Sequence, residues 1–233
     1  MRVLVLGAAV SGLAAARLAD HAGHVVSVYD SQPDRIGDII TLGVGALLGE
    51  WDPDHLTGVD LVITSPGFPE RSAPITDAYE AGASVVTEFE WAWEQLDVEK
   101  TVAVTGTNGK TTVTGLIADM LDASGVAAAA MGNIGVAVSD AVSDPPDVAV
   151  IEVSSAQLQM STSFRPDVAV VTNVEVDHVD WHGSAEAYRT AKAMIVARQR
   201  PNDVVVFSSG DSGAAAVAEA GASRRIGVDQ YTM

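Results

Sequence analysis

Short apolar runs alternate with alanine-rich, helix-patterned stretches along most of the chain. Val3-Leu4-Val5-Leu6 predicts a buried strand. It leads into the turn Gly7-Ala8-Ala9-Val10-Ser11-Gly12 and a helix that runs to about Ala22 and stops at Gly23. His24–Tyr29 predicts a second strand that ends at Asp30, and Val59–Ile63 another that enters Ser65-Pro66-Gly67. A helix near Pro74–Ala81 and a strand at Ser84–Thr87 complete a small Rossmann-like sheet over residues 1–94. The polar segment Glu94–Lys100 is too short for a long linker and marks a domain boundary. Beyond it, residues 101–233 predict strands at Thr101–Thr105, Val126–Met131, Asp147–Glu152, Val168–Thr172, Asp203–Phe207 and Arg224–Gly227. Helical patterns fall between most of these, notably Val113–Ala123 and Ala185–Arg198. That order is expected of a parallel sheet with crossover helices.

The stretch Thr105-Gly106-Thr107-Asn108-Gly109-Lys110-Thr111-Thr112 lies between a predicted strand and a predicted helix. A phosphate-binding loop needs that context. Glycines let the backbone curl its N–H groups inward, the helix N-terminus adds partial positive charge, a lysine reaches the terminal phosphates and a hydroxyl holds Mg²⁺. The strict pattern wants glycine where Val104 stands, so a plain glycine turn capping a helix is the competing reading. The fold class is α/β: a Rossmann-like N-terminal domain followed by a parallel-sheet, P-loop ATPase-type domain.

Composition narrows the partners. The formal net charge of −18 argues against duplex nucleic acid, and no basic patch offsets it. The absence of cysteine excludes disulfides and thiolate metal sites. No signal peptide is visible, and the weakly polar stretch Val126–Val138 is broken by Gly132, Asn133 and Gly135, so no membrane insertion is expected. A cytoplasmic location and a monomer are the expectations. Only three lysines occur, Lys100, Lys110 and Lys192. A chain that otherwise uses arginine for positive charge singles out Lys192 as a chemical candidate, although a lysine in a helix is ordinarily a solvated one.

Three more groups stand at predicted strand ends. Asp30 follows the second strand beside the first glycine turn. Ala9 replaces the middle glycine of a dinucleotide fingerprint there, which counts against NAD and favours a ligand that uses part of the crevice. Glu152 ends an apolar strand ahead of Ser154 and Ser155, where a carboxylate can hold Mg²⁺ beside a phosphate loop. Asn173 to Asp180 follow another buried strand and include His178. His178 and His182 stand four apart, a zinc-like spacing, but Asp180-Trp181-His182-Gly183 reads as a loop, which counts against zinc.

Together these pieces resemble the Mur ligase family of ATP-dependent amide-forming enzymes. The carrying residues are Gly106–Thr112, Gly132-Asn133-Ile134-Gly135, Glu152-Val153-Ser154-Ser155 with Gln157, Asn173-Val174 with Asp177-His178 and Asp180, and Tyr188–Lys192. Within the family, Ser11-Gly12, Asp30 and Ser65-Pro66-Gly67 look most like the members that add D-glutamate to UDP-N-acetylmuramoyl-L-alanine. The resemblance implies an acyl phosphate formed by ATP on the L-alanyl carboxylate, which the amine of D-glutamate then attacks. It implies that Gly106, Thr107, Asn108, Gly109, Lys110, Thr111 and Thr112 bind ATP. Thr111 and Glu152 would hold one Mg²⁺, and His178 and a carbamylated Lys192 would serve a second. Lys110, His178 and Lys192 would be the catalytic set. Asn133, Ser154 and Gln157 would face the muramoyl substrate, and Ser11, Asp30, Ser65 and the Gly7–Gly12 turn its uridine end.

Some positions depart from the family pattern. Ala156 stands where an aromatic is common, and Ser208-Ser209-Gly210-Asp211 lacks the usual Asn-x-Asp-Asp. The resemblance also implies a C-terminal domain that binds the incoming amino acid, which this sequence does not contain. The expectation is therefore a piece of a longer ligase that binds its UDP substrate, and ATP weakly, without completing catalysis. Two other readings stay open: a different ligase of the same family, such as a folylpolyglutamate synthase, and a non-catalytic nucleotide-binding module.

Overall fold

The computed structural model describes residues 1–229. They fall into two compact units, Met1–Gln95 with Ala137–Val142, and Leu96–Val136 with the residues from Ser143 onward.

The first unit runs β1 (Arg2–Leu6), α1 (Val10–His21), β2 (Val25–Asp30), α2 (Ile36–Leu42), β3 (Gly45–Leu48), β4 (Leu61–Thr64), α3 (Ala73–Glu80), β5 (Ser84–Thr87) and α4 (Glu88–Trp93). All strand pairs are parallel, in the order β3-β2-β1-β4-β5. Strand order reverses at β1, and crevices at the carboxyl ends of such strands are where open α/β sheets bind ligands. Val3, Val5, Val28 and Ile63 pack against the buried Ala15, Ala16 and Ala19 of α1. Small side chains there let the helix lie close to the sheet.

The second unit runs β6 (Lys100–Thr105), α5 (Lys110–Ala123), β7 (Ala128–Gly132), then, after α6 (Val138–Ala141), β8 (Val148–Glu152), α7 (Ser155–Gln159), β9 (Val168–Val171), α8 (Val179–His182), α9 (Ala185–Ala193), β10 (Val204–Ser208), α10 (Ser212–Glu219) and β11 (Arg224–Val228). Its six strands are also all parallel, ordered β11-β10-β9-β6-β8-β7. The register sets Val104 opposite Glu152 and Thr105 opposite Val171, so the candidate residues gather at the carboxyl edge around β6. Val113, Ile117 and Leu121 of α5 cover Val102, Val104 and Val150.

Several expectations need correction. α2, β3 and α4 were not expected, because β3 is only half-buried and the six-residue α4 (Glu-Phe-Glu-Trp-Ala-Trp) buries two acids beside Phe89 and Ala92. α6 belongs with the first unit, not within a second unit running unbroken from 101. Both the N–H and the hydroxyl of Ser139 donate to Glu88 Oε1, at 3.0 and 2.7 Å, and Arg17 pairs with Asp140 at 2.9 Å. Burial pushes the Glu88 carboxyl above the ordinary range, against the lowering effect of those two hydrogen bonds. The helical pattern of 185–198 ends at Ala193. Residues 179–182 form a turn of helix where a loop was expected. The end of the sequence-level second domain, 230–233, lies outside the described residues.

Candidate functional site

In the second unit the phosphate-loop candidate crosses from β6 to α5. Gly106 has no room for a side chain, since a Cβ there would overlap Thr172 Oγ1. Gly109 takes a left-handed backbone (φ 81°) just before the first turn of α5. α5 opens with no side-chain cap, and the first N–H groups of a helix have no intrahelical acceptor. The loop is strapped to the segment after β9. Asn173 grips it twice: its Oδ1 accepts the Asn108 N–H at 2.9 Å and its Nδ2 donates to Asn108 O at 3.0 Å. Thr172 Oγ1 donates to the same carbonyl at 2.7 Å. Thr107 Oγ1 accepts the Glu175 N–H at 3.0 Å and lies 2.9 Å from the Tyr188 hydroxyl.

Two lysines converge on one carbonyl. Lys110 Nζ donates to Gly106 O and Thr107 O, each at 3.0 Å, and Lys192 Nζ donates to Gly106 O at 2.8 Å. Lys192 is only 1% exposed. Its ammonium stands 4.8 Å from the Tyr188 ring centroid. Burial, and next the nearby Lys110 charge, depress its pKa to about 7, against a smaller opposing pull from Asp177. An anion introduced here would relieve both penalties.

Glu152, 2% exposed, sits at the end of β8. Its Oε2 accepts from Thr111 Oγ1 at 2.8 Å and its Oε1 from Asn133 Nδ2 at 3.1 Å. The turn at residues 132–135 is pressed onto it. Asn133 N–H donates to Glu152 O at 2.9 Å, and a Cβ on Gly132 would stand 2.5 Å from that same oxygen. A threonine hydroxyl and a carboxylate, hard oxygens beside amides that favour phosphate, suit Mg²⁺, which takes one or two protein carboxylates and fills the rest of its shell with phosphate and water. Among the described residues no group of three or more acids and histidines could cage a metal.

Lys110, Thr111, Glu152, Asn133 and Lys192 are thus brought into one hydrogen-bonded neighbourhood. The other expected residues are placed differently. His178 is exposed, with Asp177 Oδ2 at 3.6 Å and the Tyr188 ring centroid at 6.3 Å. His182 is buried and its Nε2 lies 2.9 Å from Ser155 Oγ. Both rings lie near Tyr188, but one histidine is exposed and the other buried on Ser155 Oγ, which counts against the zinc-pair reading. Ser154 and Gln157 engage each other in a capping box at the start of α7: Gln157 N–H donates to Ser154 Oγ at 3.3 Å and Ser154 N–H to Gln157 Oε1 at 2.9 Å. Asn173, Thr107 and Tyr188 carry loop contacts that spacing alone did not assign. The i, i+4 spacing of Tyr188 and Lys192 was the available signal.

In the first unit Asp30 latches the glycine turn. Its Oδ2 accepts the Ala8 N–H at 2.8 Å and its Oδ1 the Gln32 N–H at 2.9 Å. Each carboxylate oxygen keeps a lone pair for a further donor. Ser65 is turned inward, donating to Leu6 O at 2.6 Å, and a Cβ on Gly7 would overlap its hydroxyl. Gly12 packs so closely that a Cβ would overlap Gly7 O. Ser11 is half-buried in the first turn of α1.

Residues 104–232 match the Mur ligase middle domain, and residues 1–87 the Mur ligase MurD-like N-terminal domain. A UDP-N-acetylmuramoylalanine--D-glutamate ligase of Halalkalibacterium halodurans is 40% identical over 90% of this chain and 48% of its own length. The like-named protein of Frankia casuarinae is 41% identical over 96% of this chain and 48% of its own length. The chain thus spans about half the length of the curated relatives it matches. Among solved structures, the UDP-N-acetylmuramate:L-alanyl-gamma-D-glutamyl-meso-diaminopimelate ligase of Neisseria meningitides shares the fold. Its TM-score is 0.66 at 19% identity, covering 96% of this chain and 76% of that one.

Proposed function

The chain belongs to the Mur ligase family, and from that premise we propose that it serves ATP-dependent addition of D-glutamate to UDP-N-acetylmuramoyl-L-alanine in the making of peptidoglycan precursors. The observation that carries this reading is the Thr111–Glu152 pair beside a phosphate loop whose Gly106 carbonyl takes two lysine ammoniums. A carboxylate is a poor electrophile. Transfer of the γ-phosphoryl group to the L-alanyl carboxylate breaks the bridging P–O bond of ATP, releases ADP and forms a C–O–P link. Attack by the neutral D-glutamate amine on the acyl carbon then breaks the C–O bond to phosphate, and loss of a proton from nitrogen leaves the amide. The protein's work is positioning and charge neutralisation.

In this reading residues 106–112 hold the ATP phosphates through backbone N–H groups and Lys110. Thr111 and Glu152 hold Mg²⁺, which when bound neutralises charge building on the phosphoryl oxygens. His178 and Lys192 serve a second ion. The lowered pKa of Lys192 supports its carbamylation, because the neutral amine is the form that adds to CO₂, releasing a proton and leaving an anionic oxygen ligand. Asn133, Ser154 and Gln157 face the muramoyl part, and Ser11, Asp30 and Ser65 with the Gly7 turn take the uridine end. A monomer acting in the cytoplasm, where nucleotides are made, belongs to this reading. Among the described residues no helix is long and apolar enough to cross a membrane.

Calorimetric titration with ATP, with and without Mg²⁺, tests the reading. Wild type is expected to gain affinity when Mg²⁺ is present, and Thr111→Ala and Glu152→Gln to lose most of that gain, about tenfold or more. Equal affinity with and without Mg²⁺ in the wild type would sink the reading.

A further inference from the structure

His178 is the one non-glycine residue with a positive φ, 47°, among the described residues. A left-handed backbone costs a non-glycine residue about 1–2 kcal/mol, so the surrounding structure must hold it. Local contacts do part of this. Asp177 Oδ1 accepts the His178 N–H at 2.8 Å, and the His178 carbonyl accepts the N–H groups of Trp181 at 3.1 Å and His182 at 3.0 Å. Those last two bonds are the first turn of α8, and α8 is a single turn of four residues. A turn that short does not sustain itself in water.

Its far end is anchored by a side chain. His182 is 8% exposed, its Nε2 lies 2.9 Å from Ser155 Oγ, and its ring meets Tyr188 edge-on at 5.4 Å. Ser155 opens α7, three residues after Glu152. Tyr188 is the residue whose hydroxyl meets Thr107 of the phosphate loop and whose ring lies under Lys192. One buried imidazole therefore ties the turn that displays His178 to α7, which follows Glu152, and to α9, which carries Tyr188 and Lys192.

We propose that His182 is a positioning residue for His178: its hydrogen bond to Ser155 and its packing on Tyr188 pin α8, and α8 holds His178 in its left-handed pose. The ion role of His178 rests on the function proposed above, but the positioning claim is separable from it. The test is NMR on the assigned, folded full chain. The ¹³Cα and ¹³Cβ shifts of His178 report its backbone pose, and broadening of its imidazole signals by Mn²⁺ with ATP reports its nearness to the ion. Ser155→Ala removes one oxygen and His182→Leu removes the anchor. Both are expected to move the His178 ¹³C shifts away from left-handed values and to raise the Mn²⁺ needed to broaden its ring about tenfold. Broadening at Thr111 should stay at its wild-type Mn²⁺ concentration, an outcome that general destabilisation would not give. His182→Gln, which keeps a polar reach, should recover part of the wild-type pattern. If His182→Leu does not fold, Ser155→Ala decides. Unchanged His178 shifts in folded Ser155→Ala overturn the proposal. Shifts that move while wild-type His178 is never broadened by Mn²⁺ and ATP support the positioning claim and overturn the ion role.

Discussion

Among the candidate residues, Lys192 is the one whose ammonium burial and a neighbouring charge disfavour most clearly. Its scarcity in the sequence drew attention to it, but sequence alone could not show that it is buried. Its environment follows from contacts 86 and 87 residues distant, the carbonyl of Gly106 and the hydroxyl of Thr105. Folded Lys192 binds its proton more weakly than the ordinary lysine value of 10.5. In CO₂-free buffer the unfolded chain then holds more protons between about pH 7 and 10.5, so stability rises with pH across that window. The gain is bounded by about 1.4 kcal/mol per pH unit, and the dependence vanishes below pH 7, where both states are protonated. Chemical denaturation of wild type and Lys192→Met at several pH values checks this, since only the wild type should show that slope. With ¹³C-enriched bicarbonate at pH 8, a carbamate carbon signal is expected in the wild type and not in Lys192→Met. Its absence from both would remove the carbamate from the mechanism.

At the scale of elements, the strands were the most legible feature, because buried parallel strands are continuous apolar runs and need no partner to be recognised. β3 and α2 were hidden because they bury too little apolar surface, and α4 because it is short and buries two acids among its apolar residues. α8 was hidden because a one-turn helix holding a left-handed residue has no periodicity to read. Ser154 and Gln157 stood out only through the family resemblance, as substrate-facing residues, and the structure shows them capping α7. Ser154→Ala should therefore lower stability by about 1 kcal/mol through lost capping, read as a shift in the urea midpoint. An unchanged midpoint would show that the capping box contributes nothing. Gly132→Ala should be worse, because the new methyl meets Glu152 O and Ile151 Cγ2. Strain of that kind costs about 1–3 kcal/mol, and it should displace Glu152 and weaken Mg²⁺-dependent ATP binding as well.

For the whole molecule, the two-sheet organisation and the strand edges at which the candidate residues gather were readable from the alternation of strands and helices. The loan of residues 137–142 to the first unit was not, since it depends on Glu88, an acid that only the tertiary fold shows to be buried. Glu88→Ala strands the Ser139 N–H and hydroxyl without their acceptor, an expected loss of about 1–3 kcal/mol. Loss of amide-exchange protection across α6, ahead of the strands of either sheet, would show it. In the proposed function the first unit takes the uridine end of the muramoyl substrate, while the second takes ATP and faces the muramoyl part. Calorimetric titration of UDP-N-acetylmuramoyl-L-alanine, run beside Mg²⁺-ATP, tests it most directly. Wild type should bind both, and Asp30→Ala should lose about tenfold or more in affinity for the UDP substrate while binding Mg²⁺-ATP as before. ATP binding with no heat from the UDP substrate in the wild type would contradict the account.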